Sequence, residues 1–136
     1  MSDEPQPIAR DLRWVRQFKR GDKIVWIDVD QLDRSWRTDS SLYVGNGGRS
    51  PDITSAAKYE KFGRWIVEHA DQDKISMPHI ALDRHGNVSF TDGRHRFAWL
   101  RDHDVQSLPV TVSPDIEAEV RRRFGTESRM SRLTRS

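Results

Sequence analysis

The sequence predicts a mixed α/β fold in which a small sheet is flanked by helices. Three observations support this class. The run KIVWIDVDQL is dense in β-branched residues, which is typical of a strand. The run SAAKYEKFGRWIVEHA carries apolar side chains three or four residues apart, which predicts an amphipathic helix. MPHIALD and VSFTD are separated by the turn sequence RHGN and predict a hairpin.

The remaining elements follow along the chain. DRSWRTDSSLYVGNGGRSPDIT is polar and Gly-rich, so it is interpreted mainly as a loop. GRHRFAWLRDH predicts a helix, and SLPVTV predicts a strand. Pro109 indicates that this strand either lies at an edge of the sheet or begins at the proline. SPDIEAEVRRRFG predicts a closing helix, in which Ser113 is the cap, Pro114 takes the first position and Gly125 is the stop.

The length of 136 residues suits one compact domain. We assign residues 23–125 to that domain, residues 1–22 to an N-terminal lead-in, and residues 126–136 to a flexible basic tail. The charged fraction of 32% is high and the hydrophobic fraction of 35% is low, so the five tryptophans are expected to supply much of the core.

The composition also excludes several classes of protein. The chain has no cysteine, which rules out disulfides, thiolate zinc sites and cysteine nucleophiles. No apolar run approaches the roughly 20 residues of a membrane-spanning helix, so we expect no membrane insertion. The acidic start MSDEPQPIAR is unlike a secretory signal, and we expect a cytoplasmic location.

A basic turn follows the second hairpin strand. Asp92 is predicted to cap the next helix, Gly93 lets the backbone approach a ligand, and Arg94, His95 and Arg96 occupy the first helical turn. A cation in a first turn is disfavoured by about 0.3–1 kcal/mol. A bound phosphate or carboxylate would offset that cost. The alternative, that the arginines only form ion pairs with nearby acids, stays open for Asp83, Asp92 and Asp102.

The segment VSFTDGRHRFAWLRDHDVQSLPVTV resembles the phosphate-binding segment of the ParB/sulfiredoxin superfamily. The resemblance covers residues 24–112, and its sharpest part is DGRHR. The stretch FTDGRHRFAWLRDH is also similar to the plasmid fertility-inhibition proteins, which suppress conjugative transfer of another element. That group is linked to nucleotide hydrolysis and DNA cleavage.

This resemblance implies a nucleotide ligand, ATP or CTP, whose phosphates lie on Gly93, His95 and Arg96, and the charge of Arg94 adds this residue to the predicted phosphate-binding set. It implies phosphate-ester hydrolysis, an NTPase or DNase activity. We expect His95 and Arg96 to be catalytic, together with Asp92, which adjoins the turn. Arg96 would stabilise charge in the transition state, and His95 would protonate a leaving oxygen or donate a hydrogen bond. Arg94 stands where sulfiredoxins carry their cysteine, so sulfiredoxin chemistry is excluded.

Three further groups of residues are candidates. Asp28 and Asp30 follow the first strand and could hold Mg²⁺ on nucleotide phosphates. Trp36 or Tyr43 could stack on a base. Backbone groups of the Gly-rich loop could cover the base or ribose, and basic residues at the C-terminal end could contact DNA phosphates. The loop comprises Gly45, Asn46, Gly47, Gly48 and Arg49, and the basic set comprises Arg121, Arg122, Arg123, Arg129, Arg132 and Arg135.

Two rival functions stay open beside the hydrolase. One is a nucleotide switch or inhibitor without turnover, which docks onto a conjugation or secretion protein. The other is a DNA-binding regulator that uses the basic tail and no nucleotide.

Overall fold

The computed structural model describes residues 8–16, 21–69 and 74–135 and confirms the mixed α/β class. Its strands are β1 (Ile8–Asp11), β2 (Trp14–Val15), β3 (Lys23–Asp28), β4 (Ile75–Ser76), β5 (His79–Leu82), β6 (Val88–Asp92), β7 (Ser107–Val112) and β8 (Arg132–Arg135). Its helices are α1 (Val29–Trp36), α2 (Ser55–His69), α3 (Arg94–Asp102) and α4 (Glu117–Phe124), with short 3₁₀ turns at Asn46–Gly48 and Pro114–Ile116.

The central sheet has four strands in the order β3-β7-β5-β6. β3 and β7 run antiparallel along their whole length, from the pair Lys23–Val112 to the pair Asp28–Ser107. β5 and β6 form the predicted antiparallel hairpin. All six residues of β7 are buried, so this strand forms the centre of the core.

Pro109 therefore does not mark an edge, and the edge prediction for its strand is wrong. Pro109 lies opposite Trp26 in the β3–β7 pair. The carbonyl of Trp26 points away from β7 and accepts a hydrogen bond from the Thr126 N–H at 3.0 Å. Trp26 and Pro109 therefore form a non-hydrogen-bonded pair of the antiparallel ladder. On its other side, β7 pairs with β5 only at Thr111, opposite His79. The missing N–H of Pro109 thus costs no ladder hydrogen bond.

Helix α1 begins directly after β3, where the sequence predicts the end of a strand followed by a loop. The Asp28 carboxylate caps it by accepting the Gln31 N–H at 2.9 Å. Val29, Leu32 and Trp36 are all buried on one face of this helix. These three residues are separated by polar ones, so their helical spacing is not evident from the sequence. Trp36 is fully buried, which removes it as a surface for base stacking.

The closing helix differs in detail from its prediction. A 3₁₀ turn at Pro114–Ile116 precedes α4, and the Ser113 side chain makes no capping bond to the helix. The Ser113 hydroxyl donates instead to the Asp115 carboxylate. Gly125 ends α4 as predicted, and its N–H returns to the Arg121 carbonyl at 3.0 Å.

The described part of the C-terminal segment packs on the domain instead of forming the expected flexible tail. Ser131 is buried, accepts a hydrogen bond from the Leu12 N–H at 3.0 Å and receives the Trp14 indole N–H on its hydroxyl at 2.8 Å. β8 then pairs antiparallel with β1, with Ile8 opposite Arg135. Pairing with β1 provides hydrogen-bond partners for the backbone N–H and C=O groups of β8. This pairing does not depend on apolar side chains, so the polar composition of the segment did not reveal it.

A buried ion-pair network ties three parts of the fold together. The Arg101 guanidinium of α3 donates to the Asp33 carboxylate of α1 at 2.9 Å and to the neighbouring Asp102 carboxylate at 2.9 Å. It also donates to the Val44 carbonyl at 2.8 Å. The side chains of Arg101 and Asp33 are only 10% and 3% exposed, so each charge depends on the other for neutralisation.

The same network reaches α2 and the Gly-rich loop through Asp102. The Tyr59 hydroxyl donates to the Asp102 carboxylate at 2.7 Å, and the Gly47 N–H donates to it at 3.0 Å. Burial and the Asp102 carboxylate together raise the pKa of Tyr59. The loop is therefore fixed at the C-terminal end of α3.

We expect Asp33→Ala to lower the free energy of unfolding by about 3 kcal/mol, because it leaves a buried guanidinium with one counter-charge fewer. Denaturation in urea measures this loss. Asp30→Ala is the matched control, since Asp30 lies on the same helix and is exposed. A loss no larger than that of the control would contradict a structural role for the network.

Helices α2 and α3 approach closely at Gly63. A Cβ atom added there would lie 2.9 Å from Cδ1 of Trp99, closer than such contacts are found. Alanine is normally favoured over glycine in a helix by about 1 kcal/mol. We expect Gly63→Ala to reverse this sign and to lower the midpoint of thermal unfolding, because overpacking typically costs about 1–3 kcal/mol.

Gly45→Ala is the control for this prediction, since a Cβ there meets its neighbours at ordinary distances of 3.5 Å or more. A Gly63→Ala protein that melts no lower than the Gly45→Ala protein would contradict the close approach.

Candidate functional site

The basic turn joins β6 to α3 through a glycine in the left-handed conformation. Gly93 has φ +87°, and a Cβ atom there would lie 2.9 Å from Cα of Pro78 and 2.8 Å from Nη2 of Arg96. Only glycine fits this position. The predicted cap is corrected: Gly93 holds the N-cap position and no side chain caps α3, while Asp92 is the last residue of β6.

The N-terminus of α3 presents backbone donors at the same place. The first helical hydrogen bond runs from the Phe97 N–H to the Gly93 carbonyl at 2.9 Å. The N–H groups of Arg94, His95 and Arg96 precede this bond and have no partner within the helix. Such groups, together with the helix dipole, favour an anion.

Both arginines of the turn are held in place by carboxylates. Arg96 donates to Asp92 at 2.9 Å and to the Ser76 carbonyl at 3.2 Å, so the ion-pair alternative holds for this pair. Arg94 pairs instead with Asp52 at 2.7 Å, a partner that the sequence did not indicate. A guanidinium has five N–H donors, so each arginine keeps donors for a ligand.

His95 is a neutral member of this turn. Burial, reinforced by the positive charges of Arg94 and Lys58, lowers its pKa to about 4. Its Nε2 atom lies 2.9 Å from the Ser55 hydroxyl. The turn therefore carries two cations at neutral pH and not the three that the sequence suggested.

The turn lines a cleft of about 360 Å³. Its walls come from the end of β6, the start of α3, the long loop before α2 and the first turns of α2. The residues of this cleft are Leu42, Lys58, Phe90, Thr91, Asp92, Gly93, Arg94, His95 and Arg96.

Residues at the start of α2 complete the site, and the sequence analysis missed them. Hydrogen bonds from the Thr54 hydroxyl and N–H, together with Arg94, lower the pKa of Asp52 to about 2. Asp52 thus stays ionised and anchors Arg94, while Ser55 orients His95. The stretch DITS has the polar residues that are typical of a helix start. Nothing else in the sequence indicated that these residues contact the basic turn.

The Gly-rich loop at residues 45–49 does not lie on this cleft. Gly47 is bonded to Asp102, which lies about 12 Å along α3 from Arg94 at 1.5 Å per residue. Gly48 packs against the Tyr59 ring. The long loop contacts the turn through other residues. Arg94 donates a hydrogen bond to the Leu42 carbonyl at 3.3 Å and another to the Asp52 carboxylate at 2.7 Å.

Asp28 and Asp30 lie away from the cleft. They line a separate depression with Arg101 and Asp104, and Asp28 is engaged as the cap of α1. Within residues 8–16, 21–69 and 74–135, no group of three or more acidic or histidine side chains could hold a metal ion. These two residues do not fit a Mg²⁺ ion that bridges phosphates in the cleft.

The C-terminal arginines do not form one free surface. Arg123 donates to the Gly86 carbonyl, Arg129 lies over the Trp26 ring at 4.8 Å, and Arg121 pairs with Glu117 at 2.9 Å. The side chain of Arg122 is 72% exposed. Arg132 and Arg135 both lie in β8. A nucleic-acid role for this set stays a prediction.

Among the residues with a described structure, no helix is both long and apolar enough to cross a membrane.

The fold has a counterpart among solved structures. A crystal structure described as an oncogenic suppression activity protein, a plasmid fertility inhibition factor, in a gold(I) cyanide derivative, superposes with a TM-score of 0.59. The match covers 79% of this chain at 22% identity. It shows a shared fold, and the chain spans 59% of the length of that protein.

The sequence itself matches the family of plasmid fertility inhibition factors over residues 24–125. The chain belongs to this family, as the likeness of its basic turn suggested. The search among curated proteins returned no match.

The lowered pKa of His95 predicts how stability depends on pH. The folded protein takes up the His95 proton near pH 4 and the unfolded chain near 6.5, so the unfolded state binds more protons between these values. The free energy of unfolding should fall as the pH falls from 6.5 towards 4. Urea denaturation at several pH values in this range measures the effect. The free energy of unfolding should change less with pH for His95→Gln than for the wild type.

His85→Gln, in the exposed hairpin turn, should keep the wild-type dependence. Equal slopes for His95→Gln and the wild type would refute a buried neutral His95.

Proposed function

We propose that the cleft at residues 92–96 binds the phosphates of a nucleotide or nucleic acid and that the chain hydrolyses a phosphate ester there. The nucleotide is ATP or CTP, and the scaffold is the ParB/sulfiredoxin-like core that the DGRHR segment resembles. The activity serves fertility inhibition, in which one mobile element suppresses the transfer of another, and we place it in the cytoplasm.

One observation carries this proposal. Arg94, Arg96 and the N-terminal N–H groups of α3 all lie on one cleft, next to a glycine whose conformation exposes the backbone. Two guanidinium groups and a helix N-terminus provide charge and directed donors, which is the arrangement that oxyanions of phosphate prefer.

Each residue of the turn has a role in this proposal. Arg94 and the backbone at Gly93 hold the phosphate, and Arg96 stabilises the charge that develops on its oxygens in the transition state. Water attacks phosphorus, and the bond from phosphorus to the leaving oxygen breaks. The attacking water passes its proton to a phosphate oxygen. His95 is neutral near pH 7, so of its two predicted roles it keeps the donation of a hydrogen bond to the leaving oxygen.

Asp92 acts through Arg96 in this scheme. Its carboxylate bonds Nη2 of Arg96 at 2.9 Å, so it fixes the direction of the guanidinium and is a positioning residue. Mg²⁺ that arrives with a nucleotide would be held mainly by phosphates and water, and Asp92 is a carboxylate on the lining of the cleft that could add one ligand. The ion would neutralise phosphate charge.

A second candidate function is a nucleotide switch without turnover that docks on a conjugation or secretion protein. The contacts of Arg94 favour it, because this side chain joins the turn to the Leu42 carbonyl and the Asp52 carboxylate of the long loop. A phosphate that draws Arg94 away would release the loop. Limited proteolysis of that loop, with and without nucleotide, would detect the change.

Calorimetry with ATP, CTP and inorganic phosphate, each with and without Mg²⁺, tests the proposal. We expect binding that Arg96→Ala weakens at least about tenfold, since charge-assisted hydrogen bonds contribute about 1.5–3 kcal/mol. Arg122→Ala is the control, because this arginine lies on α4 and is exposed.

Product assays on the same samples then separate the two functions. Binding with product supports the hydrolase, and binding without product supports the switch. No binding of any of these ligands by the wild type would refute a phosphate site at the turn.

A further inference from the structure

A second groove continues from the phosphate cleft along α2. We call it the aromatic groove, and it has a volume of about 300 Å³. It shares Lys58, His95 and Arg96 with the cleft, so the two depressions meet at the basic turn. Its lining consists of Lys58, Lys61, Phe62, Trp65, His95 and Arg96.

Two aromatic side chains supply most of the apolar surface of this groove. Phe62 and Trp65 are half-buried, and their ring centroids lie 6.0 Å apart. His69 braces Trp65 by stacking on its ring at 5.6 Å and by a hydrogen bond to its carbonyl at 2.8 Å. The hydrogen bond holds the imidazole in place, and the stacked imidazole in turn limits the orientations that are open to the indole.

The groove carries cations beside its aromatic rings. Lys58 and Lys61 are exposed, and neither has an ion-pair partner in the described ranges. Among the residues that the structure describes, no amide or hydroxyl side chain lines the groove. Aromatic rings between cations bind bases by stacking, with little preference for sequence.

We propose that the aromatic groove binds a base of single-stranded nucleic acid against Phe62 and Trp65, while an adjoining phosphate of the same strand lies in the cleft. This inference rests on the proposed phosphate site and names the class of its ligand. It also replaces the Gly-rich loop at residues 45–49 as the surface for a base, since that loop is fixed at the other end of α3.

The position of Lys61 favours a strand over a free nucleotide. Lys61 lines the aromatic groove but not the cleft, so the groove has a cation of its own besides those of the basic turn. A strand supplies a second phosphate, on the other side of the base, for this cation to contact, whereas a mononucleotide has phosphates on one side only. Surfaces that bind single strands combine stacking rings with cations along the path of the backbone.

Fluorescence anisotropy with a labelled short oligothymidylate tests the inference. We expect Trp65→Leu, which keeps apolar volume and removes the stacking surface, to weaken binding about 5- to 150-fold. Lys61→Ala should weaken binding and lower the slope of log affinity against log salt by roughly 0.7. Val67→Ala and Arg64→Ala are the matched controls, since both lie on the other side of α2 and should bind as the wild type does.

The outcomes separate this inference from the proposed function. Oligonucleotide binding that Arg96→Ala weakens and Trp65→Leu leaves intact would overturn the aromatic groove and keep the phosphate site. Tight binding of ATP that Trp65→Leu weakens, without binding of the oligonucleotide, would assign the groove to a free nucleotide and overturn the strand. A wild type that binds neither ligand would overturn both. Thermal unfolding of each variant confirms that it is folded.

Discussion

The buried charge of Arg101 is the constraint on which the arrangement of this domain depends. A guanidinium that is 10% exposed must be neutralised, and its two carboxylates come from α1 and from α3 itself. Satisfying it brings α1, α3 and the long loop to fixed positions, and Asp102 extends the requirement to α2 through Tyr59. The cleft at residues 92–96 lies at the opposite end of α3, so its position depends on a charge that does not line it.

The cleft itself is organised before any ligand arrives. Asp52 and Asp92 hold Arg94 and Arg96, and burial keeps His95 neutral. Arginines held in this way would lose little conformational freedom on binding an anion, which is the advantage of a preorganised site. The carboxylates also reduce the net charge of the turn, so the affinity proposed for this cleft would depend on directed donors more than on the total charge of the domain.

Much of the fold could be predicted from local pattern. The strands at residues 23–28 and 107–112, the hairpin and helices α2 and α3 all have a spacing that one segment reveals. Helix α1 is hard to predict because its buried residues Leu32 and Trp36 are separated by polar residues. The charge of the C-terminal segment predicts a flexible tail, although Ser131 is buried. The turn at 92–96 could be found because its residues are consecutive. Asp52 and the aromatic groove could not, because they meet the turn only through the packing of α2 on α3.

The pairing of β1 with β8 has a consequence for the order of folding. Its partners come from the two ends of the described chain, with Ile8 opposite Arg135, so it closes the longest loop in the domain. Loop closure of this kind is slow, and it adds only a short two-stranded ribbon. The central sheet is expected to be complete before this ribbon forms, and the ribbon is expected to open first when the native protein fluctuates. Amide hydrogens of the ribbon would then exchange with solvent well before those of β7.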